Sequence, residues 1–171
     1  MKFSLSREAF LKPLQFVVGV VERRQTLPIL SNVLLSLENG RLSMTGTDLE
    51  VEIVGFSDSG PDGEDGEVTV SARKLVDICR SLPDGAQINF SSGEGKATLK
   101  SGRSKFTLAT LPANEFPSVD EGEKTIEFVV RGSVLKGLIE ATSFAMAQQD
   151  VRYYLNGMLW ELTNNNLRSV A

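Results

Sequence analysis

The stretch NVLLSLENGRLSMTGT, residues 32–47, decides the fold. Apolar and polar residues alternate on both sides of Glu38-Asn39-Gly40, and this is the period of a strand with one buried face. Asn-Gly between two such runs is the strongest short signal for a hairpin. We therefore expect two antiparallel strands, at residues 32–37 and 41–47.

The strand pattern continues around this hairpin. Leu49, Val51 and Ile53 alternate with two glutamates, which predicts a third strand with one dry and one wet face. The glycine- and acid-rich residues 57–67 are typical of a surface loop. Further strands are expected at residues 2–6, 67–70, 87–91, 97–100 and 104–110.

Two helices are expected between the strands. Apolar residues recur at three- and four-residue spacing over roughly residues 7–21, which makes one apolar stripe. A second helix is expected at residues 72–81, where Leu82-Pro83-Asp84-Gly85 stops it. Antiparallel strands with two helices packed on one face make an α+β fold.

The order of elements then begins again. After a linker at about residues 112–125, a strand is expected at 126–130 and a helix at 133–148, and Asn156 recurs 124 residues after Asn32. Asn164-Asn165-Asn166 takes the turn position of the second hairpin. The first domain is thus residues 1–122 and its second copy is residues 126–171. Because strands need partners for their edges, we expect the second copy to be cut short and the protein to be truncated.

Composition argues against an enzyme. The 171 residues include no histidine, the commonest general acid or base and a common metal ligand. No nucleophile motif, metal-ligand spacing or phosphate-binding glycine pattern is present, so no catalytic residue, metal or cofactor is expected. Cys79 is the only cysteine, and no apolar run could span a bilayer or serve as a signal peptide. We expect a cytoplasmic protein without a membrane partner.

Four motifs then carry a resemblance to a known family. They resemble the beta subunit of bacterial DNA polymerase III, of gamma-proteobacterial type, over all 171 residues. The motifs are Thr26-Leu27-Pro28-Ile29-Leu30-Ser31-Asn32, Thr45-Gly46-Thr47-Asp48-Leu49-Glu50, Pro112-Ala113-Asn114-Glu115-Phe116-Pro117 and Gln149-Asp150-Val151-Arg152-Tyr153-Tyr154-Leu155-Asn156-Gly157-Met158.

The resemblance implies a DNA-clamp fold and a processivity factor. In that family three similar domains make one subunit, and two subunits close head to tail into a ring with helices around the hole. The implied partners are duplex DNA of any sequence, the replicative polymerase, the clamp loader and a second full-length subunit.

The candidate DNA-binding residues lie on one helix and two loops. Arg73 and Arg80 are seven residues apart on one helix face, with Asp77 between them; alone, this pattern indicates a solvated face with one ion pair. The resemblance implies instead that this face lines the hole and meets phosphates without reading sequence. It also implies DNA contacts from the loops that hold Arg24, and Gln149, Tyr153 and Tyr154.

A basic run in the last strands of the first domain indicates a second kind of site. Lys96, Lys100, Arg103 and Lys105 have no acid among them, and alone a basic edge strand indicates only protection against aggregation. The resemblance implies a subunit interface in which basic side chains meet acids and two apolar side chains form the centre. Its residues are Lys74, Lys96, Arg103, Lys105, Phe106 and Leu108.

The resemblance also implies part of a pocket for client peptides. Arg152 and Leu155 match residues that border this pocket, but its other residues belong to later parts of the family sequence. We therefore expect an incomplete pocket. Three other readings stay open: a short clamp-derived product that competes for subunits or DNA, an inert fragment, and an enzyme built on this scaffold.

Overall fold

Strands and helices follow one another largely in the expected order. The computed structural model describes residues 1–21, 27–117, 126–163 and 166–171, and the chain divides into unit 1, Met1–Asp120, and unit 2, Glu121–Ala171. Unit 1 contains β1 (Lys2–Ser6), α1 (Arg7–Val17), β2 (Asn32–Glu38), β3 (Arg41–Thr47), β4 (Glu52–Asp58), β5 (Gly66–Ser71), α2 (Ala72–Ser81), β6 (Gln87–Gly93), β7 (Lys96–Ser101) and β8 (Ser104–Leu111). Unit 2 contains α3 (Gly132–Thr142), β9 (Leu159–Thr163) and β10 (Asn166–Val170).

The hairpin of β2 and β3 forms as its sequence predicts. Asn39 and Gly40 have φ angles of 50° and 77°, the left-handed conformation that a two-residue hairpin turn requires. A Cβ atom on Gly40 would lie 2.5 Å from the carbonyl oxygen of Gly60. Glycine is therefore required at this position both by backbone conformation and by space.

Unit 1 is built on one antiparallel sheet in the order β1-β6-β7-β8-β5-β2-β3-β4. The junction between β8 and β5 is short, because only Thr69–Leu111 and Val70–Thr110 are paired. The buried Thr69 hydroxyl donates to the carbonyl of Leu111 over 2.9 Å and strengthens this junction. Residues 104–109 of β8 consequently pair with β7 on one side only.

Both helices of unit 1 pack their apolar faces into one core. Phe10, Leu14 and Val17 of α1 are fully buried, as are Leu75 and Cys79 of α2. Alternate residues along the strands point towards these helices. The helices and the sheet therefore form two layers, as expected for an α+β fold. A smaller cluster of Ile29, Leu30 and Phe116 shows that the start of the expected linker, residues 112–117, packs on unit 1.

Two predictions for unit 1 were wrong in detail. Helix α1 ends at Val17 rather than residue 21, because the amides of Gly19, Val20 and Val21 bond three residues back and tighten the chain. Strand β4 begins at Glu52, so Leu49 and Val51 belong to a turn and are 52% and 48% exposed. The expected dry face at these two positions therefore does not form.

The turn before β4 is held by one carboxylate. Asp48 accepts hydrogen bonds from the amides of Glu50, at 2.9 Å, and Val51, at 2.7 Å. Leu49 between them has a φ angle of 80°, which is a strained conformation for a residue with a Cβ atom. The hydrogen bonds of the Asp48 side chain thus stabilise a turn where the alternation of apolar and polar residues predicted a strand.

Unit 2 repeats the helix and hairpin of unit 1 but not its first strand. Residues 126–130 form no strand, and Val129 is 99% exposed. In unit 1 the first strand is paired with β6, and no described residue of unit 2 corresponds to β6. Helix α3 ends at Thr142 instead of residue 148, where the Thr142 hydroxyl turns back to the carbonyl of Leu138 over 2.9 Å.

The second hairpin is also shorter than expected. β9 begins at Leu159, because Asn156 lies in a short 3-10 turn, Tyr153–Asn156, that matches Pro28–Ser31 of unit 1. The turn residues Asn164 and Asn165 lie outside the described residues. None of the described residues of unit 2 is buried, whereas unit 1 holds the whole described core. In the described part of the chain, no helix has the length and apolarity to cross a bilayer.

Candidate nucleic-acid interface

Helix α2 has an apolar face on one side and a basic face on the other. Ala72, Leu75, Val76 and Cys79 are buried in the core, and the arginines project from the opposite, exposed face. Arg73 and Arg80 are both exposed, and neither forms an ion pair with any described residue. The ion pair that the spacing of Arg73 and Asp77 suggested is therefore not formed, and both guanidinium groups are free to meet an anion.

Arg7, which sequence reasoning missed, fixes α2 against α1. Its Nε donates to the carbonyl oxygen of Cys79 over 2.8 Å, and its Nη1 lies 2.7 Å from Asp84. The neighbouring Glu8 accepts the amide of Gly85 at 3.0 Å, and this bond is the main cause that lowers the pKa of Glu8. These contacts hold the carboxyl end of α2, where Arg80 lies. A lone arginine at a helix start gives no sequence signal for such a role.

The second candidate surface is the loop before β9. Tyr153 and Tyr154 are 86% and 77% exposed, and Gln149 is exposed with a φ angle of 58°. The aromatic rings therefore stand in solvent rather than in the half-buried packing that adjacent tyrosines usually adopt. Arg24 and its neighbour Arg23 lie outside the described residues.

Two residues that sequence reasoning missed brace this loop. Asn156 donates to the carbonyl of Asp150 and accepts the amide of Asp150, each over 2.9 Å. Asp150 in turn accepts two side-chain bonds from Arg152, at 3.0 and 2.9 Å. The Arg152 guanidinium is the main cause that holds the pKa of Asp150 below its usual value, and the carboxylate raises the pKa of Arg152. Tyr153 and Tyr154 thus project from a loop that hydrogen bonds among Asp150, Arg152 and Asn156 hold in place.

Arg152 and Leu155 are placed differently from one another. Leu155 lines an apolar hollow of about 260 Å³ within unit 2, together with Tyr154, Leu159 and Val170. Arg152 does not line this hollow, and its guanidinium is bound to Asp150. Leu155 therefore forms part of an apolar concavity, and Arg152 supports the loop beside it.

The basic strand residues form an exposed group along β7 and β8. Lys96, Arg103 and Lys105 are exposed, as is Lys74 on α2. Phe106 is partly buried against the core of unit 1. Leu108 is only 7% exposed and lies directly across from the buried Ala97 in the pairing of β8 with β7. The assignment of Leu108 and the other residues of this group to a subunit interface stays a prediction.

Cys79 and the acidic side chains are the remaining candidates for chemistry. Cys79 is buried, and burial raises the pKa of its thiol to about 12, so it is not a nucleophile at neutral pH. Among the described residues, no three histidine, cysteine or acidic side chains are placed to share a metal ion, and this includes the acid-rich segment 57–67.

Comparisons with known proteins match the chain along its whole length. The family model of the DNA polymerase III beta subunit, N-terminal domain, matches residues 1–120, and the model of its central domain matches residues 129–171. Along all 171 residues the chain is 60% identical to the beta sliding clamp of Pseudomonas putida and 52% identical to that of Escherichia coli K12. It covers 47% of each of these proteins, so the chain spans about half the length of the curated relatives it matches.

Solved structures show the same fold. The DNA polymerase III beta sliding clamp of Pseudomonas aeruginosa bound to griselimycin superposes with a TM-score of 0.97 at 61% identity, over all of this chain and 46% of that one. The beta subunit of Caulobacter crescentus gives a TM-score of 0.91 at 40% identity, over 99% of this chain and 46% of that one. Both family models, the identities and the superpositions lead to one conclusion: the chain belongs to the family of the DNA polymerase III beta subunit.

Proposed function

We propose that this chain supplies the first domain, residues 1–122, and the start of the second, residues 126–171, of a sliding clamp. The whole protein encircles duplex DNA of any sequence in the bacterial cytoplasm and tethers the replicative polymerase. It has no catalytic role of its own. The observation that carries the proposal is the exposed pair of arginines on α2, neither of which forms an ion pair with a described residue, in a unit whose fold matches clamps along its whole length.

The charge distribution supports encirclement rather than tight binding. The chain carries a net charge of −4, so a generic phosphate surface would be disfavoured. Arg73 and Arg80 provide a small basic face within this acidic body. Phosphate contacts of such exposed groups are weak, salt-screened and independent of sequence. A ring that makes few contacts of this kind can slide along DNA while topology prevents its loss.

The loop of unit 2 supplies contacts of another type. Gln149, Tyr153 and Tyr154 are exposed on one loop, which the hydrogen bonds between Asp150 and Asn156 hold. Aromatic faces stack on bases or sugars without reading sequence. These residues therefore act with Arg73 and Arg80, and Arg24 is the further arginine that we assign to the DNA surface.

Ring closure in the whole protein uses the open edge of β8. Lys96, Arg103 and Lys105 are exposed along β7 and β8, and Lys74 is exposed on α2. In the whole protein these basic side chains pair with acidic side chains of a second subunit. Phe106 adds apolar contact, and Leu108 supports it from the core side. The polymerase and the clamp loader bind elsewhere, at a peptide pocket to which Leu155 contributes an apolar wall and Arg152 its supporting loop.

The proposal is tested by the salt dependence of DNA binding in the protein extended to clamp length. Arg73→Ala and Arg80→Ala should each weaken binding to duplex DNA and reduce the slope of log affinity against log salt by about 0.9 for each phosphate that is no longer neutralised. Arg41→Ala is the matched control, because Arg41 is exposed on the sheet face away from the helices. An unchanged slope in the α2 variants at low salt would refute the assignment of α2 to the DNA surface.

A further inference from the structure

The two arginines on the basic face of α2 are supported differently by the rest of unit 1. Strand β5 ends at Ser71 and α2 begins at Ala72, so Arg73 follows directly on the sheet. Arg80 lies in the last turn of the helix, and the turn Leu82-Pro83-Asp84-Gly85 follows it. The last carbonyl groups of a helix have no partner within the helix, and helix ends fray. The position of Arg80 therefore depends on what holds this end.

The side chain of Arg7 binds the peptide group from which Arg80 extends. Its Nε donates to the carbonyl oxygen of Cys79 over 2.8 Å, and that carbonyl belongs to the peptide bond between Cys79 and Arg80. The same oxygen accepts the amide of Leu82 at 3.3 Å. A cation at the carboxyl end of a helix is also favoured by the partial negative charge there. Arg7 thus fixes the peptide plane that leads into Arg80.

The turn behind α2 is held from the same side. Nη1 of Arg7 lies 2.7 Å from the carboxylate of Asp84, and the backbone amide of Arg7 donates to the carbonyl of Ala86 over 2.7 Å. Glu8 accepts the amide of Gly85 at 3.0 Å. The Arg7 side chain is only 17% exposed, so water competes little for its bonds. The start of α1 therefore holds both the end of α2 and the turn that follows it.

We infer that Arg7 is a positioning residue for Arg80 in DNA binding. Its guanidinium binds Cys79 and Asp84 rather than phosphate, and it acts by keeping the backbone of Arg80 in place. Ordering a long side chain on a phosphate costs conformational entropy, and a mobile backbone beneath it would add to that cost. Arg73, at the other end of α2, does not depend on Arg7. The inference rests on the proposed function, in which Arg80 meets DNA, and adds to it a residue that touches no DNA.

Amide hydrogen exchange of the 171-residue chain tests whether Arg7 holds the end of α2. Arg7→Met keeps a long side chain but removes its donors, so the last turn should open locally. We expect exchange at Leu82 and Gly85 to accelerate at least about tenfold more than exchange at Val76, in the middle of the helix. Equal acceleration at all three amides would indicate a general loss of stability and overturn the inference, as would unchanged exchange at Leu82 and Gly85.

Binding of duplex DNA by the protein extended to clamp length tests whether Arg7 acts through Arg80. Arg7→Met should weaken binding at low salt by about two- to fivefold, the range for one exposed ion pair. The loss should be the same in an Arg73→Ala background. It should vanish in an Arg80→Ala background, because no guanidinium is left there to be positioned. A purely structural role of Arg7 would weaken binding in all three backgrounds.

Arg7→Lys is the second variant, and it separates geometry from charge. It keeps the positive charge, but its single ammonium lacks the rigid fork with which a guanidinium bridges two acceptors. It should also weaken binding, and again only where Arg80 is present. Binding as tight as in wild type would mean that the charge alone acts, and would overturn the inference. Thermal unfolding followed by circular dichroism confirms that each variant is folded.

The same measurements separate this inference from the proposed function. If Arg80→Ala leaves DNA binding unchanged, the assignment of α2 to the DNA surface fails, and the role of Arg7 fails with it. If Arg80→Ala weakens binding but the Arg7 variants do not, only the inference fails. A loss from Arg7→Met that persists without the Arg80 side chain would likewise overturn the inference alone.

Discussion

Burial changes the pKa of Cys79 in unit 1, and local hydrogen bonds change that of Asp48. Cys79 lies on the buried face of α2, and loss of hydration raises the pKa of its thiol to about 12, although the nearby Arg7 charge opposes the shift. The thiolate is the reactive form of cysteine. The native thiol should therefore be almost inert at pH 8.

This inertness can be measured by alkylation with iodoacetamide. We expect labelling of the native chain at pH 8 to be slower by orders of magnitude than labelling in denaturant, because unfolding must come first. A Cys79→Ala/Ser104→Cys variant, with its thiol on the exposed Ser104 position, should label fast under both conditions. Rapid labelling of native Cys79 would contradict its burial.

Asp48 gives stability a predictable pH dependence. The amides of Val51 and then Glu50 hold the pKa of its carboxyl below the usual value. A group whose folded pKa is depressed stabilises the fold above its unfolded pKa, and that stabilisation is lost as pH falls through the folded pKa. Denaturant unfolding should show wild type more stable than Asp48→Ala at pH 7, with the difference shrinking below about pH 4. A difference that stays constant with pH would contradict this role.

At the scale of elements, helix α1 lies unusually close to the strands beneath it. A Cβ atom on Gly46 of β3 would lie 2.7 Å from Cγ1 of Val17 and 3.0 Å from its backbone oxygen. Gly55 of β4 meets Pro13 in the same way, at 2.8 Å. These two glycines set the spacing between helix and sheet.

We expect Gly46→Ala to destabilise unit 1 by about 1–3 kcal/mol, the usual range for overpacking against groups that cannot move. Gly93→Ala, in β6, is the matched control, since nothing lies within 4 Å of its added methyl group. Urea unfolding followed by circular dichroism measures both. Equal stability of the two variants would show that helix and sheet can separate without cost.

Elements whose signals are local were predictable from sequence. The Asn39-Gly40 turn fixes its own hairpin, and the apolar period of α2 placed Arg73 and Arg80 on its exposed face. Elements that depend on distant partners were not. Residues 126–130 have the alternation of a strand, but no described strand pairs with them.

The candidate sites likewise contain features that local sequence predicts and features that depend on distant contacts. Exposure of Tyr153 and Tyr154 follows from their polar loop, whereas the bonds from Asn156 and Arg152 to Asp150 depend on a loop conformation that no sequence period encodes. Alternation along β8 directs the side chain of Leu108 to the core opposite Ala97, and its place at a subunit interface stays a prediction. Which face of a strand is buried is decided by packing across the whole sheet.

At the scale of the whole chain, burial is concentrated in one unit. All buried residues of the described chain lie in unit 1, and none of the described residues of unit 2 is buried. The only tryptophan, Trp160, lies in β9 of unit 2 and is 38% exposed. Its fluorescence therefore reports on unit 2, while circular dichroism is dominated by unit 1.

The two signals should separate during unfolding in urea. We expect the fluorescence of Trp160 to change at lower urea than the circular dichroism, because unit 2 has little buried surface to hold it. A Trp160→Phe variant should lose the early change and keep the dichroism curve. Coincident curves would mean that both units unfold as one.

The pairing of β1 with β6 has a consequence for synthesis on the ribosome. Lys2 faces Ser91 and Ser6 faces Gln87, so β1 must wait for a strand that is made much later. Until then the nascent chain exposes the apolar Phe3 and Leu5, which the finished sheet buries. Closing so long a loop is slow, and exposed strands invite association with other chains. The segment KFSLS is therefore a binding site for a folding helper for as long as β6 has not been made.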